Sequence, residues 1–351
     1  MDTIKNYIKY FKDVTFEESP FNDIDNVLLA CIAYLDFDNL LKDSLTLNDL
    51  GKKYFNKIDY KEIKKEPLIV RRTNDVFEVV FNSRRYKDLI VSNYVKVVDK
   101  EKQFCAMKYK SDKFTYVAYE GTDDSVIGWK EDFEMIYKFP VSSQQMAIDY
   151  LNKNIRFDDR KVYVGGHSKG GNLAMVAGML ARPSIKKRII NVFNNDGPGL
   201  RAREVNSVAY KKMMPKLKIF VPEEDVVGII LRENKELTVV KSSGKGVFQH
   251  NPFNWHCYGP IFIKSELAQN NSDLQDRILR WLNTHNDEKR KEMVDTVFNV
   301  LDKSDITYFS DIRQFKMNKI LRLLKLSSKL DKDSRDLVIS VLKVFLLKDS
   351  E

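Results

Sequence analysis

The run Val162-Tyr-Val-Gly-Gly-His-Ser-Lys-Gly-Gly171 constrains this chain more than any other stretch. A short β-branched and aromatic segment meets a turn of small residues. The apolar segment Asn172-Leu-Ala-Met-Val-Ala-Gly-Met-Leu-Ala181 then follows at helical spacing. Ser168 stands at the corner between Gly166 and Gly170, which is the G-x-S-x-G pattern of a nucleophile elbow in strand–turn–helix context. A serine on so tight a turn needs neighbours without side chains, because strand and helix approach closely there. The turn lifts Oγ above a sheet edge and aims the first N–H groups of the next helix at whatever the serine attacks. The plainer alternative is a glycine-rich βα turn holding an incidental serine.

The surroundings predict an α/β fold with a mainly parallel sheet flanked by helices. Phe104–Tyr109 and Phe114–Tyr119 read as a hairpin at the leading edge of the sheet. Strands at 189–193, 217–221 and 237–241 follow the elbow, with a helix over 143–154 before it. In such sheets the chemistry gathers on loops after the strand C-termini, here at Thr122, Ser168, Asp196 and Asp225. Ahead of the sheet, 2–13, 26–35 and 45–60 read as helices. After Pro260, 274–284, 288–301 and 334–347 show apolar residues at three-and-four spacing. Three regions are expected: an N-terminal helical segment packed on the core (1–100), a catalytic core (101–260) and a C-terminal helical region (261–351).

A serine needs a base, and the base needs an acid that fixes its tautomer. The chain has 4 histidines, His167, His250, His256 and His285. His167 adjoins the serine and should point away from Oγ, and His285 lies in a charged downstream region. His250 and His256 follow the 237–241 strand, where a base belongs. His250 is preferred because a Gly-containing approach leads to it and Trp255 can pack its loop down; His256 is the alternative base. Asp225 is the preferred acid, since its loop leads straight to the histidine strand, with Asp196 the alternative. Each acid also has a plainer reading, Asp225 as a helix N-cap and Asp196 as a turn residue. The backbone N–H groups of Lys169 and Thr122 are the expected oxyanion donors, with Gly121 allowing close approach.

These residues carry a family resemblance. Tyr119-Glu-Gly-Thr-Asp-Asp with Gly128-Trp-Lys-Glu-Asp132 resembles the R-G-T…W…D block of class 3 (fungal-type) lipases, with Glu120 in place of the arginine. The chain is also similar to a bacterial lipase-like family of unassigned function within the α/β-hydrolase superfamily. That likeness rests on Ser19-Pro-Phe-Asn-Asp-Ile-Asp25, Gly165-Gly-His-Ser-Lys-Gly-Gly-Asn-Leu-Ala174, Asn195-Asp-Gly-Pro-Gly199 and Gln249-His250. It implies an α/β-hydrolase fold, Ser168 as nucleophile, His250 as base, and Thr122 and Lys169 at the oxyanion hole.

Composition narrows the rest. There is no run of about 18 apolar residues and no apolar leader at the N-terminus. Cys31, Cys105 and Cys257 have no metal-type spacing and read as reduced thiols in a cytoplasmic protein. The net charge is +9, with Lys52, Lys53, Lys57, Lys61, Lys64, Lys65, Arg71 and Arg72 crowded into one stretch. That stretch is expected to be a solvated helix face and linker. Its other reading is peripheral contact with an anionic membrane surface or an acidic ligand. No nucleic-acid motif is present. The expectation is therefore a serine hydrolase acting on an acyl ester or lipid, with no metal or organic cofactor. Its rivals are a phospholipase A-type or thioesterase activity and a non-catalytic binding or scaffold protein. The apolar run Val226–Leu231 reads as a helix, serving either as an acyl site or as plain core.

Overall fold

The structure, a computed structural model, describes residues 2–99, 102–123, 125–225, 227, 228, 230, 231, 236–302 and 331–336. Its centre is a sheet of 8 strands in sequential order: β1 (Leu45–Thr46), β2 (Ile90–Val98), β3 (Gln103–Lys110), β4 (Thr115–Tyr119), β5 (Val162–His167), β6 (Ile189–Asn195), β7 (Leu217–Pro222) and β8 (Thr238–Val240). The first four pair antiparallel, and β4 to β8 run parallel. A two-stranded ribbon, β9 (Cys257–Tyr258) and β10 (Ile261–Phe262), follows. The expected hairpin is β3–β4. The sheet begins earlier than residue 101, because β1 and β2 come from the N-terminal region; a register shift between Ser92 and Val95 interrupts the alternation of β2.

Strand alternation splits the sheet into two apolar faces. Tyr109, Tyr116, Phe193 and Phe220 enter one core, beneath α1 (Ile4–Phe11), α2 (Asp23–Ile32), α3 (Leu47–Lys57) and, after the single turn α4 (Tyr60–Ile63), which buries no residue, α5 (Leu68–Asn82). Phe104, Val117, Tyr119, Val164 and Val192 enter the other. That face is covered by α7 (Ser142–Asn154), α8 (Lys169–Leu180) and α11 (Val208–Met213), while α9 (Pro183–Lys186) and α10 (Ala202–Val205) are short connections. Crossover helices from a sequentially ordered parallel sheet all fall on one side. The opposite side would stand bare without the N-terminal helices.

A third apolar cluster lies outside the sheet. α6 (Val126–Glu134) packs through Trp129 and Phe133 against Trp281, Met293, Val294 and Phe298 of α12 (Gln269–Thr284) and α13 (Asp287–Asp302). The C-terminal helices therefore cover α6. The expected helix at 334–347 begins at 332–336, and the remainder lies outside the described residues. The described part of 226–231 is turn rather than helix, with Leu231 at φ 59° and buried in this cluster. Leu231 is core there. Positive φ is incompatible with helix continuation for a branched residue.

The N-terminal helices are pinned by a buried ion pair. Arg85 and Asp25 meet at 2.5 Å with both side chains fully buried. Asp25 also accepts from Tyr7 Oη and the Asn22 amide, and Arg85 Nη1 donates to the carbonyls of Val14, Thr15 and Ser19. Buried charges persist only where such bonds satisfy them. The Ser19-Pro-Phe-Asn break is thereby fastened, and α2 is set against the sheet.

Candidate active site

Register brings the functional loops together. Tyr119 pairs with Gly166 across β4–β5, and His167 with Asn195 across β5–β6. The residues that follow these strand ends, Glu120–Thr122, Ser168 and Asp196, therefore share one edge. Ser168 sits at φ 58°, ψ −133°, the strained conformation the sequence anticipates. A Cβ at Gly170 would lie 2.1 Å from the Tyr119 carbonyl oxygen, and one at Gly166 would lie 2.2 Å from the Gly170 carbonyl carbon. Only glycine lets helix and strands approach so closely.

His250 lies in a 3₁₀ turn over Gly246–His250, and its Nδ1 is 2.6 Å from Asp196 Oδ2. The pairing with Asp196 replaces the preferred pairing with Asp225. Asp225 accepts from the Gly228 amide at 2.7 Å and so closes a turn, not the helix N-terminus of its plainer reading. Asp196 reaches the histidine because it follows the strand next to the elbow and turns sharply, at φ 54°, with its N–H on the Phe220 carbonyl. Asp196 can only accept when ionised, so His250 carries its proton on Nδ1 and leaves Nε2 as an acceptor. Burial lowers the pKa of His250 to about 4, which keeps the ring neutral at neutral pH. Trp255, fully buried, donates Nε1–H to the Gln249 carbonyl and so fixes the loop as anticipated. His256 is held in a strand-like ladder, bridged to Thr3 and bonded to Lys241 and Ile263. No contact between His256 and the elbow is present among the described residues.

The sequence reading missed the support behind this edge. The His167 side chain carries His250. Its Nε2 is 2.8 Å from the His250 carbonyl oxygen and its Nδ1 is 2.9 Å from Tyr34 Oη. A carbonyl only accepts, so Nε2 bears the proton and Tyr34 donates to Nδ1. Burial drives the His167 pKa well below its ordinary value and keeps this tautomer neutral. Behind the turn, Asn26 donates to Asn195 Oδ1 at 2.8 Å, Asn195 donates to the Gly166 carbonyl at 2.8 Å, and the Ser168 N–H bonds the Asn195 carbonyl at 2.9 Å. Asn26 and Tyr34 were hidden because they look like incidental polar residues of an apolar segment. The one available signal was the pair of asparagines at 194–195 ending a buried strand.

Gly121 lies against the elbow. A Cβ at Gly121 would fall 2.9 Å from Ser168 Cβ and 1.9 Å from Tyr34 Oη. The Thr122 hydroxyl donates to Asp132 Oδ2. No backbone acceptor lies against the N–H of Thr122 or Lys169 among the described residues. Burial raises the pKa of Asp132 to about 7 and that of Glu120 to about 8. Among the described residues there is no group of His, Cys, Asp or Glu arranged to hold a metal ion. No helix among them is long and apolar enough to cross a membrane. The three cysteines are buried and free.

Two solved structures are similar to the chain, each at 13% identity. One is the M37 lipase, covering 57% of this chain and 67% of that one at a TM-score of 0.33. The other is a fungal lipase–inhibitor complex, covering 68% and 79% at 0.35. No curated protein matches. A profile of the Mbeg1-like family matches residues 80–299, which span β2, the elbow, the Asp196 and His250 loops and most of α13. With its sequential sheet and glycine-flanked serine turn, the chain has an α/β-hydrolase fold and belongs to the Mbeg1-like family.

Proposed function

We propose that the protein is a serine hydrolase of carboxylic esters, of the esterase or lipase kind. The reading rests chiefly on the 2.6 Å contact between His250 Nδ1 and Asp196 Oδ2 on the edge that bears Ser168 at φ 58°. Ser168 Oγ attacks the ester carbonyl carbon while His250 Nε2 takes its proton. Asp196 holds the resulting imidazolium. The backbone N–H groups of Thr122 and Lys169 bind the carbonyl oxygen as it becomes an oxyanion, an interaction worth about 3–4 kcal/mol per donor. The C–O bond then breaks, and the leaving alkoxide receives the proton from His250. Water, deprotonated by the same ring, attacks the acyl-serine and releases the acid. The chemistry draws on these residues and water alone.

A fluorophosphonate probe with an alkyl chain tests this reading. Labelling that vanishes in Ser168→Ala is expected, together with hydrolysis of p-nitrophenyl butyrate. Folded protein that reacts with none of several such probes overturns it. The eight cations of the 52–72 stretch are all exposed, which favours an anionic lipid surface as the setting of the ester. Faster hydrolysis of the same ester in phosphatidylglycerol vesicles than in phosphatidylcholine vesicles is the expected result.

A further inference from the structure

The residue after the nucleophile has a side chain with an unusual position. Lys169 opens α8, where the positive end of a helix dipole disfavours a cation. It is nevertheless fully buried. Its Nζ donates to the Gln103 carbonyl at 2.9 Å and meets Glu131 Oε2 at 3.3 Å. Glu131 is also buried, and its other oxygen accepts from the Ser143 amide at 2.7 Å. An ammonium and a carboxylate taken this far out of water need each other, and each needs the remaining bonds.

These contacts close into a ring around the oxyanion loop. Gln103, whose carbonyl receives Lys169, sends its own Nε2–H to the Gly121 carbonyl at 3.1 Å and to Glu120 Oε2 at 3.0 Å. Thr122, next along the loop, is tied by its hydroxyl to Asp132, which adjoins Glu131 on α6. The ring runs from Lys169 to Gln103, to Gly121 and Thr122, to Asp132 and Glu131, and back to Lys169. It passes through α8, β3, the loop after β4, and α6. All its bonded side chains except that of Thr122 are at least nine-tenths buried.

We infer that the Lys169 side chain is a positioning residue for the oxyanion hole, holding the Thr122 N–H in register with its own backbone N–H through Gln103 and Glu131. The inference rests on the hydrolase reading above for its catalytic consequence, and on the ring alone for its structural one. One residue thus supplies the first donor from its backbone and sets the place of the second with its side chain. Two donors must converge on one oxygen, and a displacement of about an ångström forfeits much of the effect.

The test uses the full-length chain with Lys169→Met, which keeps the backbone N–H. That change leaves the Glu131 carboxylate buried without its cation, so Lys169→Met/Glu131→Gln is made beside it; the new carboxamide retains an oxygen for the Ser143 amide. Hydrogen exchange over residues 119–134 reads the lock without turnover. The double variant should unfold within a few degrees of wild type yet exchange at least tenfold faster through 120–123. With p-nitrophenyl butyrate its kcat should fall roughly 100-fold with KM within threefold, the pattern of a lost transition-state donor. Exchange at the wild-type rate in the folded double variant overturns the ring, and wild-type kcat overturns its catalytic role. A wild-type protein that cleaves no ester defeats the hydrolase reading, while the exchange result still judges the ring.

Discussion

His167 and His250 are joined twice: the rings lie 4.5 Å apart at 36°, and His167 Nε2 donates to the His250 carbonyl at 2.8 Å. The second contact fixes the backbone of His250 rather than its ring. His167→Leu removes it while filling the space. The expected result is a fall in kcat of about 10–100-fold with little change in KM, measured on a soluble ester. Tyr34→Phe, which removes the hydroxyl that donates to Nδ1 and also lies 3.3 Å from the His167 carbonyl, should cost about 1 kcal/mol in denaturant unfolding and less in rate.

The two aspartates should separate cleanly. Asp196→Asn deprives His250 of the carboxylate that sets its tautomer, and kcat should drop by about 10⁴. Asp225→Asn leaves that pairing intact and weakens one turn. Activity near wild type is expected, with a stability loss of about 1 kcal/mol. Steady-state kinetics and thermal melts on both variants decide it; an inactive Asp225→Asn with an active Asp196→Asn would reverse the assignment.

The histidines differ in the same way. His250→Ala should abolish turnover, whereas His256→Ala should keep most of it, because His256 sits in the ladder beside Thr3.

The pH–rate profile follows from the direction of the His250 shift. A base must be neutral to accept a proton, and burial lowers its pKa from 6.5 to about 4. Activity should therefore rise with pH through an acid limb lying below pH 6.5 and be flat across neutrality. A limb centred at or above 6.5 in kcat/KM would contradict the burial of this ring.

Glu120 governs stability in the opposite sense. Its pKa is raised by burial from 4.5 to about 8, with Asp123 adding to the rise and Lys96 and Lys169 opposing it. A carboxyl whose folded pKa exceeds its unfolded value stabilises fully below the unfolded value, and the contribution is lost as pH rises through the folded one. Stability should decline between about pH 4.5 and 8 on this account. Glu120→Gln keeps the acceptor for Gln103 and cannot ionise. It should melt higher than wild type at pH 9, by about 2–4 °C for each kcal/mol recovered, and converge with it near pH 5.

Much of this was legible because it depends on local pattern. The elbow, the hairpin β3–β4, the strand ends and His250 all follow from glycine placement and alternation over a few residues. Asp196 over Asp225 was not, because the choice turns on a positive-φ bend at 196 and on which strand lies beside β5, both set by tertiary packing. β2 has its alternation broken by the register shift between Ser92 and Val95, and the 226–231 helix was a misreading of an apolar run whose Leu231 takes φ 59°. Tyr34, Asn26 and the Lys169–Gln103–Glu131 contacts lie far apart in sequence. No spacing rule joins residue 34 to residue 167.

That distance bears on how the protein comes into being. The Asn26–Asn195 bond spans 169 residues and the Tyr34–His167 bond 133. Asn26 and Tyr34 precede the serine turn in the chain, and His250 follows it. A chain interrupted between residues 196 and 250 holds the corner and its braces without the histidine. Loop closures this long are costly and slow. On the hydrolase reading, Ser168 therefore meets its base only as these long-range contacts close.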